Sequence, residues 1–234
     1  GQANVAQTGA RMDITQSSDR AILNWQSFNI GQSAHVNFNQ PSASAVTLNR
    51  VVGGDPSQIL GRMTANGQVF LSNPNGIYFG KNAQVDVAGL VATTHNIRDQ
   101  DFMAGRNDFT IPGDTGASVI NEGQIRIADT GIAAFVAPSV ANRGVIAAKL
   151  GKIQLAAANG FTLDFHGDEL LIFMVDDKVA QIALDQNGQS LNFFVESSGR
   201  IEAEGGYVWL TAKAAEGAVH SAINHSGVVE ANRV

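Results

Sequence analysis

The 234 residues, 44% of them hydrophobic, are enough for one sizeable core, and the formal charge of −6 without any Lys/Arg cluster disfavours nucleic acid or an anionic membrane as partner. The absence of cysteine excludes disulfides, Cys-based zinc sites and thiol nucleophiles together, and no apolar run reaches the roughly 18 residues of a membrane-spanning helix. Twenty-five glycines beside only 15% charged residues predict short strands and tight corners rather than a helical bundle.

Residues 1–30 alternate weakly, with Val5, Met12, Ile14, Leu23, Trp25 and Ile30 among the apolar positions, and predict short antiparallel strands that close one end of the core. Gly1 carries no signal-peptide pattern, so the chain either is not exported by that route or has lost the signal. Residues 34–38 alternate cleanly, placing His35 and Asn37 opposite Val36 and Phe38. Asn39-Gln40-Pro41-Ser42 then makes a turn, and residues 46–51 form a strand. Gly53-Gly54-Asp55-Pro56-Ser57 breaks that strand, and Asp55 or Ser57 is placed to cap one helical turn over Gln58, Ile59 and Leu60.

Val69 and Leu71 lead into Asn73-Pro74-Asn75-Gly76, and Ala83, Val85 and Val87 lead on to Gly89, which reads as strand, tight turn, strand. Pro74 fixes φ at the first corner of a type I turn, the Asn73 side chain can bond the backbone two residues on, and Gly76 tolerates the φ of the exit. Residues 99–105 read as a short helix or loop, and residues 111–116 as a loop.

From there the chain repeats. Around Gly123, Gly144, Gly199 and Gly227, the positions four before are Val119, Val140, Val195 and Ile223, and those two before are Asn121, Asn142, Ser197 and His225. Two after stand Ile125, Ile146, Ile201 and Val229. Three of the units continue through a second glycine, Gly131, Gly151 or Gly206, into another alternating strand. A unit of about 20 residues with one apolar face buries it only by stacking on copies of itself.

Equal register then makes successive units pair in parallel about 4.8 Å apart, giving roughly ten coils. The fold expected is all-β, a right-handed parallel β-helix with an N-terminal cap and extra-helical hairpin or strand insertions, its hand following from the crossover rule. Asn121 and Asn142, at equivalent corners, are placed to stack as a side-chain ladder.

One domain is expected over residues 1–234: a cap and first strands at 1–38, coils with the NPNG turn at 39–160, an insertion at 161–196 and further coils at 197–234. In the insertion, His166-Gly167-Asp168 reads as a turn, residues 170–175 as apolar on both faces, and Asn187-Gly188 as a hairpin. Residues 227–231 begin another unit, which implies a fragment of a longer β-helix.

No catalytic constellation emerges, and the chain is read as neither an enzyme nor a cofactor or metal protein. His35, His95, His166, His220 and His225 lack ligand spacing, with only His220 and His225 close in sequence. The paired acids Asp99 and Asp101, Asp164 and Asp168, and Asp176 and Asp177 sit in loops or at strand ends and read as solvated. Gly76 to Lys81 is one residue short of a phosphate-binding loop, and Asn224-His225-Ser226 is a formal glycosylation sequon.

The order and spacing of Asn39-Gln40-Pro41-Ser42, residues 45–51, Asp55-Pro56-Ser57-Gln58-Ile59-Leu60-Gly61 and the run from Ala65 to Ile77 resemble the filamentous-haemagglutinin-type secretion domain of bacterial two-partner secretion. The similarity extends to residues 89–93 and 101–105. That resemblance implies the N-terminal part of a large exported adhesin-like protein, recognised unfolded in the periplasm by a dedicated outer-membrane transporter with POTRA domains. It implies folding as a capped β-helix on emergence and nucleation of the repeats behind.

Asn73, Pro74, Asn75 and Gly76 match the family's NPNG motif, tied to secretion competence, and Asn39, Gln40, Pro41 and Ser42 stand where its NPNL motif would be. The implied localisation is secreted or cell-surface, the chain itself a monomer, with surface receptors contacted through downstream regions. A cysteine-free, coil-by-coil fold suits that route. The competing readings are a polysaccharide-degrading β-helix, which would want acids stacked on one face, and a carbohydrate-binding module, for which Trp209 is the one outward tryptophan.

Overall fold

The computed structural model describes residues 1–164, 178–181, 183–213, 215 and 222–231, together with the backbone of residues 171–173. The expected turn at His166 to Asp168, Leu170, residues 174–177 with both aspartates, and His220 lie outside the described residues.

Alternation of apolar and polar residues gives strands, and glycine corners turn them through three faces per coil. β1 (Ala3–Thr8) pairs antiparallel with β2 (Arg11–Gln16) and closes the N-terminal end. β2, β3 (Arg20–Trp25) and a single bridge at Ile30 form the first coil. β4 (His35–Asn39), β5 (Val46–Val51) and β6 (Ser57–Ile59) form the second, and β7 (Arg62–Ala65), β8 (Gln68–Ser72) and β9 (Ile77–Phe79) the third.

In the fourth, β10 (Gln84–Val87) and β11 (Gly89–Thr93) are followed by an excursion holding α1 (Asp99–Met103) and β12 (Asp108–Phe109) before β13 (Ser118–Asn121). β14 (Gln124–Ile127), β15 (Ile132–Ala137) and β16 (Ser139–Asn142) make the fifth. β17 (Val145–Ala148) and β18 (Lys152–Ala157) precede a second excursion, with β19 (Phe161–Leu163) and β20 (Leu171–Phe173), before β21 (Val195–Ser197). β22 (Arg200–Glu202), β23 (Tyr207–Ala212), β24 (Ile223–His225) and β25 (Val228–Glu230) follow.

Sheet A is β1-β2-β4-β7-β10-β14-β17-β22-β25, sheet B runs from β3 to β23, and sheet C from β6 to β24; every pair within them except β1 with β2 is parallel. The molecule is a parallel β-helix. Of the N-terminal strands expected to be antiparallel, only β1 and β2 pair that way; β2 and β3 already run with the stack. Among the described residues sheet B has seven strands, one per coil, so the expected ten coils were too many. Gln58 and Ile59, expected with Leu60 in a helical turn capped by Asp55 or Ser57, lie instead in the strand Ser57–Ile59, because β9 on one side and Ile30 on the other satisfy its backbone groups.

The glycine alignment reproduces the register: Val119 pairs with Val140, then Val195, then Ile223, and Ile125 with Ile146, Ile201 and Val229. The glycines are required by contact, since a Cβ on Gly144, Gly199 or Gly227 would run into the carbonyl oxygen of the glycine one coil before. The small inward residues Ala133, Ala137, Ala148 and Ala157 fill a narrow core in which Phe79 and Phe135 stack with ring centroids 5.7 Å apart.

The outer faces differ. On sheet B, Leu48, Phe70 and Val91 point outward into a second core completed by Phe102, Phe109 and Phe161 from the excursions, whose strands β12, β19 and β20 pair antiparallel. On sheet C, Ile120 and Ala141 are covered by Ala183, Leu191 and Phe193, beside a turn whose Gly188 has φ +76°. The outward side chains of sheet A, such as Arg62, Gln84, Asp86, Gln124 and Arg126, are exposed.

Candidate functional site

The corner from β8 to β9 is Asn73 to Gly76. Gly76 N donates to Asn73 O at 3.1 Å, closing the turn, and Gly76 takes φ +112°, the half of backbone space that other residues avoid. Asn73 is fully buried. Its Oδ1 accepts from Asn75 N at 3.0 Å and Asn75 Nδ2 at 3.2 Å, while its Nδ2 donates to Asp55 O at 3.0 Å and Ser57 Oγ at 2.9 Å.

Asn75 Nδ2 donates to Gly53 O at 2.9 Å, Ser57 N to Gly76 O at 3.0 Å, and Asp114 N to Pro74 O at 2.9 Å. The turn is therefore tied to the corner before it and to the loop of the coil after it. Ser57 and the carbonyls of Gly53 and Asp55 complete the motif; sequence reading quoted the 55–61 run without seeing that it faces NPNG. Beside the turn lies a cleft of about 380 Å3 lined by Pro56, Asn75, Tyr78, Ile120 and Leu184 among others. Burial first, then donation to Glu122 at 2.8 Å, pushes the Tyr78 phenol up to about 12, so it stays a neutral donor.

Asn39 to Ser42 forms the corner from β4 to β5, on a different edge of the prism. Gln40 is buried, and its Nε2 donates to Ala45 O at 3.0 Å, Thr47 Oγ1 at 3.1 Å and Gln68 O at 3.0 Å. Its Oε1 accepts from Gly67 N at 3.1 Å, and its backbone pairs with the Asn66 side chain at 2.7 Å in both directions. Pro41 and Asn39 face solvent, and Ser42 Oγ accepts from Ala45 N at 3.1 Å.

At the third edge, Asn121 Nδ2 donates to Asn142 Oδ1 at 2.8 Å, and Asn142 Nδ2 reaches Arg200 O at 3.3 Å. Ser197 and His225 occupy the same column in the next coils. The three groups of sequence-selected residues thus stay apart, one at each edge.

The remaining selected residues serve the fold. His35 Nε2 meets Thr64 Oγ1 at 2.8 Å on sheet A, and buried His95 lies edge-on to Phe161. Asp99 pairs with Arg50 and Asp101 with Arg106. Ile77–Phe79, inside the stretch that approaches a phosphate loop, is a strand. Trp209 points outward and stacks on Tyr207, centroids 5.6 Å apart, half-buried against the outer core of sheet B. Among the described residues no three His, Asp or Glu side chains converge as metal ligands would. Sequence reading missed Arg20 and Arg50, whose partners are 82 and 49 residues away.

Comparison with known proteins gives one consistent result. The model of the TPS secretion domain matches residues 1–234. A heme/hemopexin-binding protein of Haemophilus influenzae strain Rd is 36% identical over the whole chain, which spans 25% of that protein's length. Another heme/hemopexin-binding protein of Haemophilus influenzae is 47% identical over 44% of this chain and 11% of its own length.

Among solved structures, the HMW1 secretion domain from Haemophilus influenzae superposes with a TM-score of 0.72 at 27% identity, over 98% of this chain and 62% of that one. The filamentous hemagglutinin secretion domain does so with a TM-score of 0.55 at 17% identity, over 100% of this chain and 94% of that one, a likeness of fold alone. The family is a secretion module rather than an enzyme family. With the TPS model matched from the first residue to the last, the chain belongs to the TPS secretion domain family.

Proposed function

We propose that this chain is the secretion-signal and folding-nucleus domain of a larger exported protein. A cognate outer-membrane transporter of the TpsB type reads it in the periplasm through its POTRA domains, and the β-helix forms as the chain emerges at the cell surface. The match to the TPS secretion domain over all 234 residues carries this reading. It is supported by a chain without cysteine and by coils that each complete the one before.

Asn73 and Asn75 act in secretion chiefly through the turn they build. The burial of Asn73, with both ends of its amide bonded inside the fold, leaves it reachable by a transporter only before folding. Gln40 plays the corresponding part at the Asn39 to Ser42 corner, and the Asn121–Asn142 ladder is structural. The domain acts as one monomeric unit over 1–234, and a heme- or hemopexin-directed activity of the kind the curated relatives' names describe belongs to the rest of the exported protein.

The deciding experiment expresses the chain behind a signal peptide, with and without the co-encoded transporter, and assays the medium. Release should require the transporter; release in its absence overturns the reading. Asn73→Ala and Asn75→Ala should each lower the secreted yield, and unchanged yield for both would leave NPNG as a turn alone.

A further inference from the structure

Between β11 and β13 the chain does not turn the corner directly, as it does from β8 to β9. Residues 94–111 leave sheet B, run back along its outer face across coils already laid down, and return, the base of the loop closed by Asn96 N to Ile111 O at 2.7 Å and Ile111 N to Asn96 O at 3.1 Å. Two arginines from the earliest strands of that face hold it. Buried Arg50 of β5 donates from Nε to Asn96 Oδ1 at 2.7 Å, from one terminal nitrogen to Asp99 Oδ1 at 2.6 Å and from the other to Ile97 O at 2.7 Å. Arg20 of β3 donates to Phe102 O at 2.9 Å and Asn107 Oδ1 at 3.2 Å, with its guanidinium 4.8 Å from the Phe102 ring centroid.

Beneath them, fully buried Phe70 meets Phe102 and Phe109 at centroid distances of 6.2 and 6.1 Å. The partners that bury Leu48 and Phe70 on the outside thus arrive late in the chain. A planar fork that meets three separate acceptors on the strap, and Asn24 Oδ1 of β3 at 3.4 Å besides, is work for arginine and not for lysine.

We propose that residues 94–111 are a strap whose backward closure over β3, β5 and β8 is the commitment step of folding, and that Arg20 and Arg50 are positioning residues for secretion because they seat it. This rests on the reading of the chain as one that folds while it emerges. Coils one to three stack through their ladders, the inner core and the corner bonds of Gln40 and Asn73, but with the outer face of sheet B uncovered they stay individually reversible. Once Phe109 has cleared the transporter the strap closes and the first three coils become one cooperative unit with it, the non-local contact supplying what nearest-neighbour stacking lacks. The strap also prepares the next step, since β12 pairs with β19 and Phe109 stacks on Phe161 at 4.9 Å.

Amide hydrogen exchange on the whole folded chain and pulse-chase release through the transporter test this together. Arg50→Ala should lower protection in β3, β5 and residues 94–109 by about tenfold or more, leaving β14 to β18 as they were, and should slow release. Arg50→Lys should not restore either. Should Arg50→Ala fail to fold, Asp99→Asn, at a side chain 62% exposed, removes only the ion pair and should give a smaller loss in the same segments. A uniform loss over all strands, or none in the first coils, overturns the strap. Local loss with wild-type release overturns its part in secretion. Wild-type release without the transporter would instead overturn the functional reading and leave the exchange result standing.

Discussion

The coils at 118–157 and those at 20–93 share a cross-section but are held by different means. In the later pair each coil meets the needs of the next: small inward residues, glycine corners, and an asparagine whose amide reaches its equivalent 21 residues on. The earlier coils have no such repeat. Their corners are filled by the buried side chains of Gln40 and Asn73, each with its own set of partners, and their outer face is closed by the strap that Arg50 of β5 holds. Regular coils draw on register, which any matching coil can supply. The first coils depend on particular hydrogen bonds, which makes them a defined starting point for a stack.

The largest effects should come from breaking register in the regular coils. Gly144→Val sets a branched side chain against the Gly123 carbonyl, and the expected outcome is no cooperative melt, whereas Gly54→Ala, with no atom near its Cβ, should melt within about 0.5 kcal/mol of the parent. Next is Phe70→Ala, in the outer core of the first coils, expected to cost about 3–5 kcal/mol in urea unfolding. A cost under about 1 kcal/mol would mean that the outer core contributes little. Smaller still, Asn142→Ala and Asn73→Ala each strand buried partners and should cost about 1–3 kcal/mol. Of these two, Asn73→Ala should also slow refolding, as the folding nucleus proposed for the first coils requires.

The same contrast explains what was legible. Repetition at fixed offsets from Gly123, Gly144, Gly199 and Gly227 revealed stacking, register and the ladder, because register is a property of neighbouring coils. NPNG was legible as a turn because Pro and Gly act locally, but its anchoring to Gly53, Asp55 and Ser57 was not, since any polar corner could have faced it. Local capping signals at 55–57 misled, because a three-residue strand takes its stability from neighbours on both sides rather than from its own sequence. Nothing near Arg20 or Arg50 in sequence marks them out; only the strap's path, set by tertiary packing, makes half-buried Arg20 and buried Arg50 its anchors.

The smallest effect expected distinguishes the two regions by pH. On β2, Asp13 accepts from Arg11 at 2.8 and 2.7 Å and from Asn37 at 3.0 Å, and these bonds, Arg11 foremost, hold its carboxyl down to about 2. The stabilisation is complete above the ordinary carboxylate value of about 3.9 and is lost as pH falls through about 2. His35, next to it on β4, is shifted down by burial first and then by Arg11 and Arg62, against the pull of Asp13. An unfolded chain therefore binds that proton more readily, so stability falls below about pH 6.5. Both groups act in one direction, and acid should loosen β2 and β4 in two steps seen by amide exchange. His35→Gln should remove the upper step and Asp13→Asn the lower. The equivalent positions in the regular coils, Gln124 and Arg126 on β14 and Val145 and Ala147 on β17, carry no group that titrates in this range, so their exchange should stay flat. Parallel loosening there would mean that acid acts on the stack as a whole and that the first coils are no more dependent on particular side chains than the rest.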